Sequence, residues 1–304
     1  MRRSQPVFRS GDPRTTRMTQ MSTRDPIYVA LVGHQLDRWK LPAIHAIEAR
    51  AMGVNLLLDR IDPDAMVRAR PPLAEMLDVL DLAGFAGALV ASPYKRAAVA
   101  HVDELSPAAQ AAGAVTTIVF RKGRRIGYNT SAWAFRENLR RALGDCKPGR
   151  VLLLGAGPTG AAIGHALREL GAKDLMIHDT RADRADALAL DLCGTRVTDL
   201  ADAAGKADGI VNATPWGGLH RPGIAIQPDL LRASHWVADV LDAPFDTALS
   251  QVARDRGCRV FNGVGMAVFR AMRDFNLLTG LAPNANRLRA AIEILDTTPV
   301  LEDQ

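Results

Sequence analysis

The sequence predicts an α/β fold in two parts, each built on its own largely parallel sheet, with a helical tail that returns to the first part. Three observations carry this expectation. From Ile27 onward short β-rich runs alternate with helical stretches, the pattern of strands joined by crossover helices. At Arg150 the alternation restarts with RVLLLG, so a second, independent sheet is expected. The stretch from Met266 to Leu295 reads as helix with no strand of its own, and such a segment must bury its apolar face on something already formed.

Taken in order, the first part opens with the strand YVALVG. A helix follows from Leu41 to Met52, then the strand NLLLD, a helix from Pro72 to Leu82, the strand GALVAS and a helix from Lys95 to Val102. TTIVFRKGRRIGYN reads as two strands around a Lys122-Gly123 turn at a sheet edge, because a Gly-containing pair between β-rich runs favours a hairpin. Ser131 to Leu143 forms the connecting helix. In the second part RVLLLG leads into a helix to Leu170, the strand DLMIH, a helix from Asp183, and the strands GIVNAT, WVADV and CRVFN. The domain division that follows is a basic leader over 1–26, a first domain over 27–130 and 266–304, a connector over 131–149, and a second domain over 150–265.

At 304 residues and 48% hydrophobic the chain can fill two cores. No apolar run is long enough to span a bilayer, so no part in a membrane is expected. The first 26 residues carry six arginines against two aspartates, which supplies most of the formal net charge of +5. The folded remainder is therefore almost neutral, and nucleic acid is not an expected partner. The leader has no apolar core and cannot be a secretory signal. It reads as a disordered extension ahead of a start at Met18 or Met21, or alternatively as a phosphate-binding or targeting arm. Cys146, Cys193 and Cys258 are odd in number and widely spaced, which suits three free thiols in a reducing, cytoplasmic setting without a metal site.

Strand RVLLLG runs into Gly155-Ala156-Gly157-Pro158-Thr159-Gly160 and then a helix. Glycines in this strand-turn-helix context permit a tight turn and close backbone approach, so that amides and a helix N-terminus hold a pyrophosphate. About 20 residues further on, where an acid meets the adenosine ribose hydroxyls, stands Asp179. Its charge repels a 2′-phosphate and favours NAD over NADP, whereas Arg181 and Arg184 close behind could hold that phosphate.

Across nearly the whole chain the motifs resemble the shikimate dehydrogenase family. Gly33, Lys40, Pro42 and His45 match its first loop, and Gly87, Val90, Pro93 and Lys95 its lysine segment. Ala114, Val115 and Thr117 match the next loop, and Gly127-x-Asn129-Thr130 opens its GxNTDG motif. Asn212-Ala213-Thr214-Pro215-x-Gly217, Asp239, Pro244, Thr247, and Gly263 with Met266 continue in the same order. The resemblance implies that Lys95 is the catalytic lysine beside the reacting hydroxyl. It also implies that Thr214, Gly263 and Met266 lie along the cofactor toward the nicotinamide. A lysine in that place is otherwise a solvated helix-start residue.

The departures from the family pattern gather where substrate should bind. Two serines that hold the substrate carboxylate are Trp39 and Leu41. Leu89, Ala91, Thr116 and Asp242 replace polar or aromatic residues, and Arg270 replaces a glutamine. The aspartate of GxNTDG is Ser131, followed by Ala132 and Ala134. A site built for several hydroxyls discriminates by about 10⁴ to 10⁵, so shikimate loses several partners at once. Trp39, Thr116, Asn129 and Arg270 are the candidate substrate residues, Arg270 reading either as a carboxylate ligand or as a surface residue of the return helix. Ser131 could orient the Lys95 amine or the substrate oxygen, with burial left as the influence on the amine. Three functions remain open: an NAD-dependent oxidoreductase on a less hydroxylated carboxylic acid, a genuine shikimate or quinate dehydrogenase with rearranged contacts, and a cofactor-binding sensor without turnover. A monomer or a homodimer is expected.

Overall fold

Among the described residues two six-stranded sheets divide the chain. In the computed structural model the described residues are 25–36, 39–65, 71–218, 221–241 and 244–297; nearly all of the basic leader, and Asp242, lie outside them. The first sheet comprises β1 (Ile27–Val32), β2 (Leu56–Ile61), β3 (Gly87–Val90), β4 (Glu104–Leu105), β5 (Thr117–Arg121) and β6 (Arg124–Tyr128), in the order β2-β1-β3-β5-β6-β4. β1 pairs in parallel with β2 and β3, whereas β5 runs antiparallel to β3 and β6. The β5–β6 turn holds Lys122 at φ 54° and Gly123 at φ 72°, left-handed values at both central residues that match the twist of a two-residue hairpin. The hairpin does not form the sheet edge. The two-residue β4, too short to show in a periodicity, pairs with β6 and covers it.

α1 (Leu41–Ala51) and α2 (Leu73–Leu82) lie on opposite faces of this sheet. The alternation within β1 shows why: Ile27, Val29 and Leu31 pack with Leu41 and Ile44 of α1, while Ala30 and Val32 pack with Met76, Leu77 and Leu80 of α2. After β3 the expected helix from Lys95 is a turn followed by a 3₁₀ segment at Ala97–His101. α3 (Pro107–Ala112), not expected from the sequence, is capped by Ser106, whose Oγ accepts from Ala109 N.

α4 (Thr130–Leu143) leads to the second sheet, formed by β7 (Arg150–Leu154), β8 (Asp174–His178), β9 (Thr195–Arg196), β10 (Gly209–Asn212), β11 (Trp236–Asp239) and β12 (Arg259–Phe261). Every pairing is parallel, in the order β12-β11-β10-β7-β8-β9. Strand order reverses between β10 and β7, and in such sheets ligands bind in the crevice outside the strand ends at that reversal. α5 (Pro158–Glu169) and α6 (Ala182–Asp191) cover one face with Val151 and Leu153. α7 (Leu200–Lys206) and α8 (Ala248–Asp255) cover the other with Leu152 and Leu154.

The tail is α9 (Gly263–Thr279) and α10 (Ala285–Thr297). Ala267, Val268, Ala271 and Leu278 of α9, with Leu288 and Ile292 of α10, join the core of the first sheet. Met266 and Phe269 of the same α9 join the core of the second. α9 is thus the beam common to both halves. No described helix is long and apolar enough to cross a membrane.

Candidate active site

The glycine turn after β7 has a separate reason for each glycine. Gly155 has φ +99°, and a Cβ there would come within 2.9 Å of the Ala213 backbone. A Cβ on Gly160 would lie 1.9 Å from the Gly155 carbonyl oxygen, so α5 approaches the strand only because Gly160 has no side chain. A Cβ on Gly157 would meet nothing within 4 Å. It would project into open space beside a cavity of about 460 Å³ lined by Gly155, Gly157, His178, Asp179, Thr180, Arg184 and Thr214 among others. This is the room a pyrophosphate needs at the N-terminus of α5, where Pro158 opens the first turn with its missing N–H and Thr159 follows. The residues present therefore fit a dinucleotide.

Asp179 leaves β8 with both carboxylate oxygens occupied by the backbone: Ala156 N donates at 2.7 Å and Arg181 N at 2.8 Å. The acid is thereby tied to the glycine turn it was expected to complement. The Arg181 guanidinium turns to Asp183 at 2.7 Å on the surface. Arg184 lines the cavity.

The motif Asn212-Ala213-Thr214-Pro215-x-Gly217 and the segment around Asp239 form one support. Asn212 Nδ2 donates to the Trp216 carbonyl at 3.0 Å and to Asp239 Oδ1 at 3.1 Å. Its Oδ1 accepts from Thr214 N at 3.0 Å and Thr214 Oγ1 at 2.6 Å. Thr247 Oγ1 donates to Asp239 Oδ2 at 2.6 Å. Asp239 is 2% exposed, and burial, outweighing these donors, pushes its carboxyl up to about 6. Gly263 closes against the same loop, since a Cβ there would lie 2.2 Å from the Leu241 carbonyl oxygen. Met266, one turn on, is buried.

On the first sheet Lys95 is half-buried after β3, and its carbonyl accepts from Val115 N at 2.7 Å. Ser131 is buried in the first turn of α4. The strand-start residues 114–117 bind both segments. Asn129 Nδ2 donates to the Ala114 carbonyl, while its Oδ1 caps α4 by accepting from Ala132 N. Thr130 N donates to Thr116 Oγ1 at 2.8 Å, and the hydroxyls of Thr116 and Thr130 lie 3.0 Å apart. Asn129 and Thr116 thus already serve the fold.

Arg270 is not a surface residue. It is 3% exposed, its guanidinium lies 5.5 Å from the centre of the Trp39 ring, and its Nε is 3.7 Å from Asp274 Oδ2. Asp274, fully buried, accepts from Thr117 Oγ1 at 2.6 Å. His45 stacks on Phe275 with ring centroids 6.0 Å apart. Burial, and then the charge of Arg270, lower its pKa to about 4 against the opposing pull of Glu48.

Residues 31–118 match the family model for the shikimate dehydrogenase substrate binding domain. Over 285 residues the chain is 38% identical to the shikimate dehydrogenase (NADP(+)) of Streptomyces avermitilis, covering 91% of this chain and 98% of that one. The chain belongs to the shikimate dehydrogenase family. It is an NAD(P)-dependent oxidoreductase of that family. The quinate/shikimate dehydrogenase (NAD(+)) of Corynebacterium efficiens is 36% identical, covering 88% of this chain and 97% of its own length. The structure of quinate dehydrogenase from Corynebacterium glutamicum in complex with NAD superposes with a TM-score of 0.83 at 34% identity, covering 89% of this chain and all of that one.

Within this shikimate dehydrogenase family member, Asp274 and a polar chain beside Lys95 escaped the sequence reading. Tyr94 Oη lies 2.9 Å from His34 Nε2, and His34 Nδ1 lies 2.8 Å from Asp64 Oδ2. With the bond from His34 N to the Ser92 carbonyl, this chain ties the Lys95 segment to the loop after β1. Its members are separated by up to sixty positions, so no local pattern shows it. Asp274 carried one usable signal: it stands four residues after Arg270 on a largely apolar helix, the spacing at which charges pair.

Proposed function

We propose that this family member oxidises a hydroxyl of a small carboxylic acid with NAD, using Lys95 as general base, in a pocket no longer suited to shikimate. The observation that carries the reading is the contact of Arg270 with Trp39. Two positions that depart from the family pattern, far apart in the chain, meet as one unit, as a rebuilt pocket requires and scattered drift does not. A guanidinium backed by Asp274 and faced by an indole suits one carboxylate on an otherwise apolar molecule. Leu89 and Ala91, both buried, offer no polar partner to a ring of hydroxyls.

In this scheme the dinucleotide, held by Gly155, Ala156, Gly157, Pro158, Thr159 and Gly160 with Asp179 at the ribose, supplies the hydride acceptor. Thr214, Gly263 and Met266 border its nicotinamide half. Lys95 takes the hydroxyl proton, a contribution of about 10² to 10⁴ in rate for a well-placed base. Ser131 holds the substrate oxygen or the Lys95 amine by hydrogen bonding. Asp179 supports NAD over NADP. The first domain is read as 27–130 with the tail from 266, the second as 150–265, and the setting as cytoplasmic.

Steady-state turnover of a panel of hydroxy acids tests the reading. Shikimate is expected to give kcat/KM below about 10⁴ M⁻¹s⁻¹, under the common enzyme range, with a less hydroxylated acid exceeding it. Arg270→Gln should raise KM for that acid at least about tenfold, the worth of roughly 1.4 kcal/mol of binding. Shikimate as the best substrate, or no change of KM in the variant, overturns the proposal.

A further inference from the structure

Arg221 supplies a cation on the β10 side of the cavity, opposite Arg184 on the β8 side. It lines the same 460 Å³ cavity as Gly155, Gly157, Asp179 and Arg184, is exposed, and its side chain makes no hydrogen bond or ion pair among the described residues. Arg181, by contrast, is already bonded to Asp183.

The backbone of Arg221 itself is held at both its N–H and its carbonyl. Gly217 N donates to its carbonyl at 2.7 Å, and its own N–H donates to the Gly218 carbonyl at 3.0 Å. The start of the loop is anchored by Asn212 Nδ2 on the Trp216 carbonyl. Its end lies against the Trp216 ring, which a Cβ on Gly223 would touch at 3.6 Å. A guanidinium on a residue whose own N–H and carbonyl are both bonded arrives at the cavity with less ordering left to do on binding.

Strand order then assigns what it meets. The glycine turn stands at the end of β7, with β8 on one side and β10 on the other. Asp179 and Arg184 follow β8 and face the ribose end of a dinucleotide laid across the strand ends. Arg221 follows β10 and reaches the cavity from the opposite side. Between them, over Gly157, is the place of the two linked phosphates.

We propose that Arg221 binds the pyrophosphate of the dinucleotide, clamping it from the β10 side against the glycine turn. The inference rests on the dinucleotide site set out under Proposed function and adds a charged ligand to a cradle otherwise made of backbone amides. A cation on the pyrophosphate is shared by NADH and NADPH, whereas one on the 2′-phosphate serves NADPH alone.

Fluorescence titration of the full-length protein with NADH and with NADPH separates these cases. Arg221→Gln should weaken both by about tenfold and by the same factor, and should flatten the dependence of NADH affinity on salt. Arg221→Lys, which keeps the charge but not the fork, should fall between. An exposed side chain carries little of the fold, so the thermal midpoint should stay put. NADH affinity in Arg221→Gln within twofold of the parent protein overturns the proposal, as does a loss confined to NADPH. Absence of binding of either dinucleotide to the parent protein overturns the underlying site itself, a result distinct from both.

Discussion

His45 and Asp239, one buried in each half, give stability opposite slopes in the same acid range. His45 has a folded pKa near 4 against 6.5 when free. Its contribution is present above pH 6.5 and is lost as pH falls toward 4, because only the unfolded chain accepts the proton. Asp239 has a folded pKa near 6 against 3.8. Its contribution is present below pH 3.8 and is lost as pH rises through 6. Each shift corresponds to roughly 3 kcal/mol over its window, so the two largely offset each other. Urea denaturation at pH 4.5 and pH 7 should expose them singly. Relative to the parent protein, Asp239→Asn should fare better at pH 7 than at pH 4.5 by about 2 kcal/mol, and His45→Gln should show the reverse. Parallel pH profiles for all three proteins would contradict the assignment.

The last element, α10, is fastened to α1 by one buried acid. Glu48 accepts from Arg287 Nε and Nη2 at 2.8 Å each and from Asn284 N at 2.7 Å. Its side chain is fully buried, while that of Arg287 is 39% exposed. Removing the exposed partner therefore hurts more than neutralising the buried one, since it strands a carboxylate away from water. Arg287→Ala should cost about 2–3 kcal/mol and Glu48→Gln about 1 kcal/mol, with the double variant less harmed than the sum. Denaturant midpoints measure this, and proteolysis should cut first between α9 and α10 in Arg287→Ala. A loss below 0.5 kcal/mol on the scale of a surface substitution would refute the clamp.

In the proposed scheme, proton transfer and dinucleotide binding belong to different sheets joined through α9. Lys95→Met should then lower kcat by about 10² or more while leaving NADH affinity within twofold. Asp179→Ala should do the converse, narrowing a preference for NAD of at least about tenfold without moving the pH profile of turnover. Coupled losses of affinity and rate in Lys95→Met would show the division of labour to be false. Features written in short windows were legible from the residues alone: the alternation of strands and helices, the glycine turn, the tail without a strand, and the ordered motifs of the family. Elements of two residues such as β4 and β9, and the short α3, α7 and α8, carry too few positions for a periodicity. The packing of distant segments alone buries Arg270 beneath Trp39 with Asp274 behind it. It alone assembled Asp64, His34 and Tyr94 beside Lys95, and alone turned Arg221 into the cavity beside the glycine turn. Those arrangements depend on which strand ends and helix faces meet, and residues far apart in the chain leave no periodic trace of a contact that packing creates.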